Sequence, residues 1–260
     1  MNDGRSLKQR LLHGQVGLGL VCRTLSAAAV ELIGLSGFDF VWIDMEHTAA
    51  DFTLVENLCR AADAAQVEPL VRVPDKSPSN ILRALEAGAR IVNVPQVEHA
   101  AEAEAVVRAS KYHPIGERGY CSSSRGNRYG FGSSVQEIFA AANERVMTMV
   151  QIESSTGVRN ALEICSVSGL DIVFVGMGDL SQSLGVPGQM NHPEVLAQTR
   201  RTLEIIRTSG KLAALHVEAA GAVRNWLDIG VRIFACGTDL ALFGKTLRCV
   251  QEEFRDIVNC

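Results

Sequence analysis

The sequence predicts an α/β protein, a single closed (β/α)8 barrel over residues 1–260. Three observations predict it. Eight short, apolar, β-branched runs recur along the chain. They do not alternate polar with apolar, so both faces are buried, as in a parallel sheet. Segments of helical periodicity separate these runs, so strand and helix alternate around a closed barrel. The chain length of 260 residues suits one such barrel. An open doubly wound sheet is disfavoured, because no GxGxxG follows the first run.

The elements follow in order. An N-terminal helix is expected over 1–14. The strands read GLGLV (17–21), FVWID (40–44), PLVRV (69–73), IVNVP (91–95), MTMVQIE (147–153), IVFVG (172–176), LAALH (212–216) and IFACG (233–237). Between them, SAAAVELIGLSG (26–37) has Ala and Leu at helical spacing and a glycine near its end. The same reading covers 52–65, 79–89, 98–112, 192–211 and 218–230. Two segments break the pattern. Residues 113–134 form a long Gly/Ser/Arg loop between the fourth and fifth strands, and loops of this length are usually functional or mobile. At the C-terminus, 239–260, Phe243, Leu247, Val250, Phe254 and Ile257 are spaced by four, three, four and three. That is a narrow apolar seam on a charged helix. It either closes its own barrel or packs on a partner subunit.

Composition excludes several classes. Apolar residues make up 47 % and charged residues 21 %, which supplies a large core and argues against disorder. The net charge is −4, and no short window gathers four Lys/Arg, so no nucleic-acid partner is expected. The seven cysteines form no CxxC pair, so neither a disulfide framework nor a structural zinc site is expected. The N-terminus lacks an apolar signal core, and no run approaches 18 apolar residues. A soluble cytoplasmic protein without a membrane partner is the expectation.

Working groups of such barrels sit at the C-terminal ends of the strands. Here those ends carry Arg23 after strand one, Asp44, Glu46 and His47 after strand two, and Arg72 in strand three. They continue with Gln96, then Gln151 and Glu153, then Asp179 and His216. Glu153 and Asp179 are one βα unit apart and could share a cation. Two hard oxygens with open positions suit Mg²⁺ or Mn²⁺, with Co²⁺ as a further candidate. The alternative is that each only caps a helix, which suits Asp179 better than Glu153. Arg72 is costly in an apolar strand unless it meets an anion, either a substrate oxygen or Asp44 or Glu46. A carboxylate such as Asp44 can orient the His47 imidazole for proton transfer. Gly178 and Asp179 open a helix whose N–H groups can hold a carboxylate. Arg118 and Arg125 of the long loop, with Arg23 and Arg72, make a cationic mouth for an anionic substrate, or else are scattered solvated arginines. No lysine lies at a strand end, so a Schiff base lacks its nucleophile.

Together GFDFVWIDMEH, the VRVP arginine, KYHPIGERG, VQIES and VGMGDLSQSLG resemble the HpcH/HpaI aldolases, the metal-dependent class II pyruvate aldolases, from about residue 15 to residue 245. The resemblance implies a TIM barrel whose C-terminal helix is exchanged between subunits, in a homo-oligomer built from dimers and commonly hexameric. It implies that Glu153 and Asp179 hold the divalent metal and that Arg72 contacts the keto oxygen and developing enolate. His47, paired with Asp44, is then the acid/base. Gln151 supports a metal-bound water, and the Gly178 and Asp179 N–H groups hold the pyruvate carboxylate. The chain departs from the family pattern in three places. GLGLVCRT replaces a GLW-like motif and brings Arg23, VGMGDL replaces VGPxDL, and His113 stands where YPPxGxRG has a proline. Three functions compete. The first is reversible aldol cleavage of a 4-hydroxy-2-oxo acid to pyruvate and an aldehyde. The second is a citrate-synthase-like condensation of an acetyl-coenzyme A enolate with oxaloacetate, kept open by Arg23. The third is a non-catalytic barrel that binds a 2-keto acid, which the acid/base group at His47 argues against.

Overall fold

A computed structural model describes residues 5–132 and 134–258. Residues 1–4 of the expected N-terminal helix, and 259–260 of the C-terminal one, lie outside them. Eight parallel strands close into a barrel in chain order. They are β1 (Gly17–Cys22), β2 (Phe40–Asp44), β3 (Glu68–Arg72), β4 (Ile91–Val94), β5 (Met147–Ile152), β6 (Ile172–Val175), β7 (Leu212–Val217) and β8 (Val231–Thr238). Each lies within two residues of the run that predicted it.

The helices are α1 (Leu7–Leu12), α2 (Ala27–Leu35), α3 (Phe52–Ala64), α4 (Pro78–Ala87), α5 (Ala100–Ser110), α6 (Val135–Arg145), α7 (Ser155–Arg159), α8 (Ala161–Cys165), α9 (Met177–Ser183), α10 (Pro193–Thr208), α11 (Ala220–Leu227) and α12 (Asp239–Val258). Three of these, α6, α7 and α8, fall where no helix was read from the sequence. The first begins at a capping box, in which Ser134 accepts from the Glu137 N–H and Glu137 accepts from the Ser134 N–H. That signal was present at the end of the presumed loop.

Two apolar clusters hold the barrel. The larger lies between strands and outer helices. The smaller fills the barrel itself, with Phe40, Trp42, Leu70, Ile91, Met147, Met149, Ile172, Phe174, Ala214 and Ile233. These are the inward positions of successive strands, two residues apart along each. Leu7 and Leu11 of α1 join this cluster and close its N-terminal end. Gly19 of β1 has no side chain because Phe40 occupies the space, and a Cβ there would lie 2.2–2.5 Å from atoms of the Phe40 ring.

The long segment 113–134 follows α5, so it starts on the N-terminal side of the barrel, opposite the rim where strands end. Arg118 donates its backbone N–H to the Lys111 carbonyl at 2.9 Å. Arg125 donates to the Ala87 carbonyl at the end of α4 and to Asp63 near the end of α3. Part of the segment is a 3-10 helix, Arg125–Gly130.

α12 buries none of its residues in its own chain. Its seam is open along its length, from Phe243 at 59 % exposed to Ile257 at 77 %. Leu18 on β1, and Leu32 and Leu35 on α2, are exposed as well. The alternative in which the seam closes its own barrel is therefore not what this chain adopts.

Candidate active site at the strand ends

Strand geometry explains the rim. Side chains two apart point the same way. Continuing the inward series past the apolar layers gives Asp44 after Trp42, Arg72 after Leu70, and Asn93 after Ile91. It gives Gln151 and then Glu153 after Met149, and His216 and then Glu218 after Ala214. The barrel interior thus changes from apolar to polar at one level. A cleft of about 280 Å3 opens there, lined by Arg23, His47, Arg72, Gln151, Glu153 and Asp179 among others.

Asp44 is fully buried and is the hub of the cationic wall. Arg72 Nε donates to Asp44 Oδ1 at 2.9 Å and Arg72 Nη2 to Oδ2 at 2.6 Å, a bidentate fork. Arg23 Nε reaches Oδ2 at 3.2 Å. The backbone N–H groups of Glu46 and His47 donate to Oδ1. Burial alone would push the Asp44 carboxyl up, but the hydrogen bonds and charge of Arg72, with Arg23, hold it below its ordinary value. Arg72 also meets Glu46 Oε2 through Nη1 at 2.9 Å and lies 5.4 Å over the Trp42 ring. The internal ion pair and the cleft-lining guanidinium are thus one arrangement.

The pairing expected between Asp44 and the His47 imidazole is corrected here. Asp44 receives only the His47 backbone N–H, because its two oxygens are taken by Arg72 and Arg23. The imidazole faces Glu46 instead, Nε2 to Oε2 at 3.6 Å, and its side chain is 49 % exposed. Burial raises the Glu46 carboxyl, with Arg72 and His47 opposing. His216 lines the same cleft; burial lowers its pKa, and Glu218 opposes that.

Across the cleft, Glu153 is buried. Oε1 accepts the Gln96 backbone N–H at 2.8 Å, and Oε2 accepts Gln151 Nε2 at 2.7 Å. Burial pushes its pKa up to about 7. The Gln96 N–H opposes this, and the nearby Asp179 and Glu46 charges add to it. A Cβ at Gly176 would lie 2.7 Å from Glu153 Cβ, so glycine is what admits this side chain. Asp179 sits in the first turn of α9, whose N-cap is Gly176. No group of three or more His, Cys, Asp or Glu that could hold a metal occurs among the described residues. Two carboxylates, Glu153 and Asp179, line the same cleft. A crowded, desolvated carboxylate beside a second one fits a hard divalent cation.

Gln151 Nε2 donates to Glu153, and its Oε1 accepts from Asn93 Nδ2 at 2.7 Å. It therefore braces Glu153, with one N–H and one lone pair of its amide left over. One expectation changes. Arg118 and Arg125 do not reach the cleft in this chain. Arg118 is buried with its Cζ 4.7 Å over the Tyr112 ring, and Arg125 is tied to Asp63. The cationic mouth consists of Arg23 and Arg72 alone among the four arginines expected there.

Residues that the sequence reading passed over complete the site. Trp42 and Phe174 meet edge to face, 5.1 Å between centroids, and both line the cleft. Glu218 lines it too, and the step of two from His216 was the available signal. Asn93, alone and polar inside IVNVP, was another. Asp239 accepts the Arg23 and Thr24 backbone N–H groups at 2.8 and 3.1 Å, fixing the segment that carries Arg23. Only the fold brings Asp239 to strand one, because β8 pairs with β1.

Comparison with known proteins shows the family. A 5-keto-4-deoxy-D-glucarate aldolase of Klebsiella pneumoniae is 34 % identical over 95 % of this chain and 96 % of its own. A hydroxypyruvate/pyruvate aldolase of Roseobacter denitrificans is 32 % identical over 96 % and 97 %. The crystal structure of the citrate synthase SbnG superposes with a TM-score of 0.90 at 30 % identity, covering 98 % of this chain and 99 % of that one. The model of one family, HpcH/HpaI aldolase/citrate lyase, matches residues 19–245. The chain belongs to the HpcH/HpaI aldolase/citrate lyase family.

Proposed function

We propose that this protein is a divalent-metal-dependent carbon–carbon lyase that reversibly cleaves a 4-hydroxy-2-oxo acid into pyruvate and an aldehyde. One observation carries the reading: Arg72 and the carboxylates Glu153 and Asp179 line one cleft at the C-terminal rim. Glu153 and Asp179 would hold the cation, Mg²⁺ or Mn²⁺ by their chemistry. When bound, it supplies Lewis-acid polarisation of the 2-oxo group.

The remaining work falls to side chains. The Nη1 and Nη2 N–H bonds of Arg72 that Asp44 and Glu46 leave unused donate to the oxygen on which enolate charge develops, and Asp44 keeps the guanidinium in plane. The N–H groups of Gly178 and Asp179 receive the substrate carboxylate. Gly178 suits this because the space a Cβ would enter is open. His47 takes the 4-hydroxyl proton. The C3–C4 bond then breaks, its electron pair passes to the enolate, and the C4 carbon leaves as the aldehyde. Glu46 lies where it stabilises the imidazolium. Trp42 and Phe174 keep the inner wall apolar and exclude water.

Arg23 favours a second reading. Its guanidinium lines the cleft and uses only Nε on Asp44, which leaves its other donors for a second substrate carboxylate. Such a group suits an aldehyde acid, and it also suits the oxaloacetate of a condensing enzyme, the activity named for SbnG. The partner in either case is a small 2-keto acid. α12 is proposed to be exchanged with a second copy in a homo-oligomer. No helix among the described residues is long and apolar enough to cross a membrane.

The test is deuterium exchange at the pyruvate methyl group in D₂O, followed by NMR with and without Mg²⁺ or Mn²⁺. Cation-dependent exchange, lost on chelation and lost in Glu153→Ala, is the expected outcome. No exchange with any cation, but thiol release from acetyl-coenzyme A and oxaloacetate, would replace cleavage by condensation.

A further inference from the structure

Gln96 follows β4 and Pro95 with φ +58, in the left-handed region that a glutamine rarely adopts. Glycine enters that region freely, so a glutamine held there has something that holds it. Three contacts do. Its carbonyl accepts Lys76 Nζ at 3.0 Å. Its side-chain Nε2 donates to Glu46 Oε1 at 3.2 Å. Its backbone N–H donates to Glu153 Oε1 at 2.8 Å. The same Glu46 contacts Arg72 and His47 through its other oxygen. One residue thus spans the two walls of the cleft.

We propose that Gln96 is a positioning residue: its backbone N–H, turned inward by the left-handed conformation, aims Glu153 at the divalent cation, and its amide holds Glu46 against Arg72 and His47. This rests on the reading of Glu153 as a cation ligand. A carboxylate ligand needs an outer donor to fix its orientation, and Gln96 and Gln151 supply one to each Glu153 oxygen. With Oε1 and Oε2 both oriented, the remaining lone pairs have a fixed direction before any cation arrives. The left-handed backbone is therefore part of the site and not an incidental turn.

The experiment measures Mn²⁺ affinity from the EPR signal of the free ion, together with Tm, for the wild type, Gln96→Gly and Gln96→Val. Both variants lose the amide, but only valine resists positive φ. Gln96→Val is expected to bind Mn²⁺ about tenfold more weakly or worse. Gln96→Gly stays close to the wild-type affinity while its rate of pyruvate methyl exchange falls, because Glu46 is released. If Gln96→Val does not fold, Gln96→Ala takes its place, and affinity below that of Gln96→Gly supports the proposal. Equal Mn²⁺ affinity in glycine and valine (or alanine) variants overturns the backbone role. Wild-type exchange kinetics in Gln96→Gly overturn the side-chain role. A wild type that binds no Mn²⁺ removes the cation site itself, and this proposal with it.

Discussion

Arg72 illustrates how one side chain serves fold and chemistry together. It is buried, yet each of its three nitrogens meets a carboxylate, Asp44 through Nε and Nη2 and Glu46 through Nη1, which leaves one N–H on each Nη for a substrate oxygen. Arg72→Lys keeps the charge but loses the plane, so enolate formation should fall by about 100-fold or more with the fold retained, as the exchange assay would read. Undiminished exchange would remove the clamp role. Asp44 carries the pH consequence. Its folded pKa lies below the ordinary 3.8, so the stability it contributes is present above that value and is lost as pH falls through the folded one. Acid unfolding below about pH 4 should therefore be less steep in Asp44→Asn. That variant also starts about 3 kcal/mol or more less stable at neutral pH, because two guanidiniums lose their shared partner. Urea titrations between pH 2 and 7 decide both. The sequence showed that Asp44, His47 and Arg72 share a rim, because strand ends can be read from apolar runs. It did not show which carboxylate faces the imidazole. That depends on Arg23 and Arg72 both reaching Asp44, a contest between side chains from three strands.

At the scale of the element, strands were legible and some connections were not. A parallel strand buried on both faces leaves an unbroken apolar run, and all eight runs mark true strands. The short α7 and α8 leave little periodicity to detect, and α6 was hidden behind a Gly/Ser-rich approach. The segment 113–134 was identified as unusual, with its arginines read either as part of the cleft mouth or as scattered and solvated. In a βα repeat, a loop after a strand lies at the catalytic rim, and a loop after a helix lies opposite. Arg118 and Arg125 follow α5, and that order alone takes them away from the rim. Packing between strands gives a sharper test of element geometry. Gly19 on β1 faces Phe40, which is fully buried on β2. Gly19→Ala should destabilise the barrel by about 1–3 kcal/mol, since the ring has no free space to move into. A denaturation midpoint equal to the wild type would mean that the β1–β2 contact is looser than this geometry.

For the whole molecule, the question is what α12 is for. Twenty residues form a helix that buries nothing in its own chain, although its apolar seam runs from Phe243 to Ile257. A helix of this kind is not stable by propensity alone, and its apolar stripe has to be covered. The barrel also exposes apolar side chains that a helix can cover, Leu18 on β1 and Leu32 and Leu35 on α2. A second copy of the chain would satisfy both needs at once, each α12 covering apolar surface of the other by two-fold symmetry. Truncation after Asp239 tests this without disturbing the site, because Asp239 itself is kept and still holds the Arg23 and Thr24 backbone. The truncated chain should retain barrel circular dichroism, since no core residue is removed, and should sediment as a smaller species than the full-length protein. A truncated chain that sediments as the full-length assembly would assign α12 some other role. A truncated chain that loses both assembly and fold would mean the partner's helix is part of the barrel's own stability, and the dimer would then be the folding unit.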